Sequence, residues 1–66
     1  MKVHLDRKAD ALYVRLSEVP IVESEEVQPG VVLDYSADRM VVGVEMLGIS
    51  KRMSIDDMNS LQFVNA

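Results

Sequence analysis

Cysteine is absent from this 66-residue chain, and so is tryptophan. Without cysteine there is no disulfide, no thiolate metal site and no thiol nucleophile. Histidine occurs once, at His4. The three glycines, Gly30, Gly43 and Gly48, stand apart from one another, so no phosphate-cradling glycine loop can form. No apolar run approaches the roughly 18 residues of a membrane-spanning helix. Nor does the start of the chain show the continuous hydrophobic stretch of a signal peptide. These absences predict a soluble, cytoplasmic protein.

Charge is unevenly distributed. The chain carries 11 acidic against 7 basic residues, for a net charge of −4. Lys2, Arg7, Lys8 and Arg15 outnumber Asp6 and Asp10 over residues 1–16. Residues 17–38 hold Glu18, Glu23, Glu25, Glu26, Asp34 and Asp38 with no basic residue. This balance argues against nucleic-acid binding, which needs a broad basic patch that Lys51 and Arg52 alone do not make.

Residues 3–14 lie over residues 31–42 as an internal repeat. Val3/Val31, Leu5/Leu33, Asp6/Asp34, Ala9/Ala37, Asp10/Asp38 and Val14/Val42 are identical pairs. Each copy alternates apolar and polar residues about a turn flanked by aspartates, the pattern of a β-hairpin. Period-2 alternation puts Val3, Leu5, Leu12, Val14 and Leu16 on one face, with Val31, Leu33, Met40, Val42, Val44 and Met46. Tyr13, Val32, Val41 and Leu47 fall on the other. Ser54 with Asp57 suggests a capped helix start, and Ile55, Met58 and Leu61 recur at helical spacing.

The predicted fold is therefore α+β: a single domain, 1–66, built on a four-stranded antiparallel β-meander of two similar hairpins. The first hairpin spans 1–16, an acidic connector with room for a short irregular edge strand 17–28, the second hairpin 29–49, and a helix over 54–64 packs on one sheet face.

Three motifs carry the resemblance to a known family. They are Ala9-Asp10-Ala11-Leu12-Tyr13-Val14-Arg15-Leu16, Glu25-Glu26-Val27-Gln28-Pro29-Gly30-Val31-Val32-Leu33-Asp34-Tyr35, and Val42-Gly43-Val44-Glu45-Met46-Leu47. Over residues 1–52 the chain resembles the small bacterial family called domain of unknown function 2283. The resemblance implies a compact bacterial fold and no established activity. Arg39 stands where that family's pattern usually places a turn glycine.

Chemistry-bearing groups are few. Asp34, Ser36, Asp38, Met40 and Glu45 have the spacing of calcium-loop ligands, but Arg39 replaces the glycine that the loop needs. The residues after Arg39 alternate as a strand, so the segment reads as an aspartate-capped turn. Glu23, Glu25 and Glu26 read as a solvated acidic edge. No cofactor or metal is expected.

Two functional classes remain. The first is a non-enzymatic interaction module: a homodimer through Tyr13, Val32, Val41 and Leu47, acting in the manner of an antitoxin on a small basic protein. The second is a ligand binder or enzyme that joins His4 to Glu23, Glu25 and Glu26 across a dimer seam.

Overall fold

A computed structural model describes residues 1–65. Alternating residues form one antiparallel sheet of five strands, β1 (Lys2–Asp6), β2 (Ala11–Arg15), β3 (Glu23–Gln28), β4 (Val31–Tyr35) and β5 (Val41–Leu47). A 3₁₀ turn (Ile49–Lys51) and a helix, α1 (Ile55–Asn59), follow. The α+β class holds, with three corrections to the expected arrangement.

The strand order is β1-β2-β5-β4-β3, so the sheet is not a meander. β2 pairs with β5, and β2 to β5 together form a Greek key, in which a long connection joins non-neighbouring strands. That connection, residues 16–22, crosses the ends of β5 and β4. Leu16 N–H donates to the Val42 carbonyl at 2.8 Å, and Val22 N–H to the Tyr35 carbonyl at 2.9 Å. The Arg15 guanidinium braces the crossing by donating to the carbonyls of Ser17 and Val19.

The second correction is to the strand count: the acidic connector supplies the edge strand it has room for, which makes five strands instead of four. Residues 23–28 form β3, an edge strand with all six residues exposed. Val27 is their one apolar residue, so the strand shows no alternation. The link to β4 is two residues, Pro29 then Gly30, with Gly30 at φ 79°. This is the residue order of a type II turn.

The two hairpins also differ in register. Leu5 faces Leu12 in the first. By the repeat, Leu33 should face Met40, yet it faces Val44. An even slide of this kind keeps residues 31–34 and 43–46 on their predicted faces while changing every partner. Met40 consequently sits in the turn, exposed, rather than on the inward face. Asp6 caps its turn, accepting from Ala9 N–H at 3.0 Å. In the second turn Ser36 takes that role, bonding to Asp38 and receiving the Met40 N–H at 3.3 Å.

Arg39 adopts φ 65°, a conformation that L side chains resist and glycine accepts. Its partners are weak: an exposed ion pair to Glu23 at 3.7 Å and the Tyr35 ring at 5.9 Å. Arg39→Gly is therefore expected to stabilise the protein by up to about 1 kcal/mol. A rise in the denaturant midpoint checks this, and a fall would show that the lost contacts outweigh the backbone relief.

The third correction concerns the helix. Ser54 caps it as expected, accepting Asp57 N–H at 3.1 Å. It ends at Asn59, however, and Ile55 and Leu61 are exposed. A five-residue helix has no stability of its own, and none of its residues is buried, Met58 being half-buried. The buried apolar core is small: Ala11, Leu12, Val42 and Ile49.

Candidate functional site

Strand pairing sorts the sheet into two unlike faces. One carries, in register, His4, Tyr13, Glu45, Val32 and Glu26 in one row. Lys2, Arg15, Gly43, Asp34 and Ser24 make the next. At the centre of this polar face lies Asp34, only 9% exposed. Tyr13 donates its hydroxyl to one Asp34 oxygen and Ser24 donates to the other, each at 2.6 Å. Three strands are thereby tied together across a fourth, β5.

Gly43 is what allows the crossing. A Cβ there would fall well inside van der Waals contact of Tyr13 Oη and 2.7 Å from Asp34 Oδ2. The phenol occupies the space that any other residue's side chain would fill. A glycine inside a strand is the sequence signal for such a close approach. Nothing in the sequence identifies Tyr13, Asp34 and Ser24 as the groups that meet there.

The hydrogen bond to Asp34 raises the Tyr13 pKa above its ordinary value of 10.0, and burial adds to the effect. Folding thus favours the neutral phenol. The associated stability is complete below about pH 10, the unfolded value, and is lost as pH rises through the folded one. Unfolding midpoints measured from pH 9 to 12 should fall more steeply for the native chain than for Tyr13→Phe. Parallel profiles would contradict the assignment.

This network is unsuited to nucleophilic catalysis. Ser24 bonds directly to a carboxylate, with no imidazole between them to accept its proton. His4 lies on β1 and Ser24 on β3, the two edges of the sheet, about 19 Å apart at four strand spacings. The same separation divides His4 from Glu23, Glu25 and Glu26. Those glutamates are themselves split: Glu26 pairs with Val32 on the polar face, whereas Glu23 and Glu25 pair with Tyr35 and Leu33 of the opposite row. Among the described residues no three His, Asp or Glu side chains are grouped to hold a metal ion.

Of the predicted interface residues, Tyr13, Val32 and Leu47 share the polar face. There Val32 is flanked by Glu45 and Glu26. Val41 lies apart, because a register shift beside Asp34 sets it opposite Tyr35.

The other face is apolar throughout its centre. Val3 and Leu5 of β1 adjoin Leu12 and Val14 of β2; Val44 and Met46 of β5 adjoin Val31 and Leu33 of β4. Most are only half-buried, and Val3 is exposed. Residues 61–63 border a groove over Val3, Leu12 and Val14. Leu61 and Phe63 nevertheless remain 59% and 77% exposed.

The chain belongs to the family described as protein of unknown function (DUF2283), whose sequence model matches residues 2–50. The match takes in all five strands and stops before α1. No curated protein and no solved structure matches the chain. Among the described residues no helix is long and apolar enough to cross a membrane.

Proposed function

We propose that the protein is a non-enzymatic interaction module that works as a homodimer, two copies packing their apolar sheet faces together. The observation that carries this is the incompletely covered face, on which Leu12 is buried but Leu5, Val14, Leu33 and Val44 are only half-buried. A sheet with one apolar face needs a second layer, and α1 does not provide it.

The areas agree. A folded monomer of 7.4 kDa should expose about 4,200 Å². This chain exposes 4993 Å². The excess, roughly 800 Å², is what each partner buries in an interface of standard size. The chain is also broad and thin, 37 × 29 × 20 Å, with a radius of gyration of 12.7 Å against about 11 Å for a compact chain of this length. Pairing through the apolar face, instead of the face of Tyr13 and Val32, buries aliphatic side chains and leaves the carboxylates of Glu45 and Glu26 in water. That avoids desolvating charge.

Val44→Asp places a charge at the middle of the apolar face and should convert the dimer to a folded monomer. Val32→Lys, between two glutamates on the polar face, should leave it dimeric. Light scattering reads both; dissociation by Val32→Lys alone would reverse the face assignment. The acidic β3 edge stays outward in this dimer. A small basic protein is the further partner its charge would draw, and release of that protein at high salt checks the assignment.

A further inference from the structure

Segment 61–64 presents Leu61, Phe63 and Val64, all exposed, directly after the helix. In its own chain it borders the β1–β2 half of the apolar face, beside Val3, Leu12 and Val14. That half is therefore raised by a ridge. The β4–β5 half, with Val31, Leu33, Val44 and Met46 half-buried, lines no part of that groove. The face thus carries the segment on one side and not on the other.

Two copies can meet face to face with their two-fold axis in the plane between the sheets, either across the strands or along them. An axis across the strands sets β1–β2 against β1–β2, so the two ridges collide and the two bare halves face each other. An axis along the strands sets β1–β2 of one copy over β4–β5 of the other, and each ridge meets the half that the partner's own segment does not border. A two-fold interface must be self-complementary, and only the second arrangement is.

We propose that residues 61–64 of each copy pack on the partner's sheet, over Leu33 and Val44, so that the two copies exchange these segments across the two-fold axis. This rests on the homodimer reading above. It assigns an occupant to the bare half of the face and a contact to the exposed Phe63. It also makes the segment outside the family match a determinant of assembly.

The chain has no cysteine, so single cysteines report proximity without background. Leu33→Cys and Phe63→Cys chains are prepared separately, mixed, allowed to exchange and oxidised. Because the cysteines begin on different chains, any disulfide between positions 33 and 63 is intermolecular. The expected result is a predominant mixed dimer, identified by mass spectrometry of its linked peptides. Val32→Cys mixed with Phe63→Cys should give little. In addition, Phe63→Ser should raise the dimer dissociation constant at least tenfold, while the unfolding midpoint of the dissociated monomer stays unchanged. A dimeric mass with no 33–63 disulfide, or with unaltered affinity in Phe63→Ser, would overturn the exchange and leave the homodimer standing. A monomeric mass for the native chain would overturn both.

Discussion

Gly43→Ala is expected to destabilise the protein by about 2–4 kcal/mol, combining an overpacked contact with a displaced buried hydrogen bond. The backbone at Gly43 is not in the left-handed region, so the effect comes from the side-chain atoms above it. The added methyl would force the Tyr13 hydroxyl away from Asp34, whose carboxylate is nearly buried. A domain of this size has little stability in reserve, and the variant should be close to unfolding at room temperature. The mechanism is separable from a generic strand effect. Tyr13→Phe removes the oxygen that clashes, so the double variant should be more stable than the two single losses predict, by at least about 1 kcal/mol. Strict additivity in chemical denaturation would mean that Gly43 does not serve the Tyr13 crossing.

Ile49→Ala should cost about 3–4 kcal/mol, as large-to-small changes at closed core sites do. At 2% exposure Ile49 is the most buried large side chain. Local geometry explains its burial. Gly48, at φ 64°, reverses the chain after β5. The following turn is then tied to the first hairpin loop. Ile49 N–H donates to the Asp10 carbonyl at 2.9 Å, and Ser50 bonds the Asp10 carboxylate through its N–H at 3.0 Å and its hydroxyl at 2.7 Å. Leu5→Ala, at a half-buried site on the apolar face, should cost distinctly less when measured in dilute monomer. A larger loss at Leu5 than at Ile49 would move the monomer's core to the face assigned here to pairing.

Alternation in the sequence reports which way a side chain points and says nothing of which strand lies beside it. Leu5, Leu12, Val14, Leu33 and Val44 accordingly share the face expected of them, while β5 stands between β2 and β4 unannounced. The four-residue slide of the second hairpin is hidden for the same reason, since an even shift preserves the facing of the residues it pairs anew, 31–34 with 43–46. β3 is only weakly marked, because an exposed edge strand needs no apolar face and its glutamates read equally well as loop. The helix start was legible in Ser54 and Asp57, where capping is local chemistry. Its length was not, because that depends on docking the sequence cannot show. Asp6 and Asp34 occupy equivalent repeat positions, yet one caps a turn and the other anchors Tyr13 and Ser24. That difference arises only when β2, β3 and β4 assemble, and of the whole site only Gly43 left a mark in the sequence.

The apolar face is the feature from which the functional reading descends, and the mass of the native protein in solution tests it most directly. Sedimentation equilibrium over a hundredfold range of concentration should give twice the 7.4 kDa chain mass at the upper end, with an unfolding midpoint that rises with protein concentration as linkage requires. A mass of one chain throughout, with a concentration-independent midpoint, would show that the single sheet stands alone and would contradict the account.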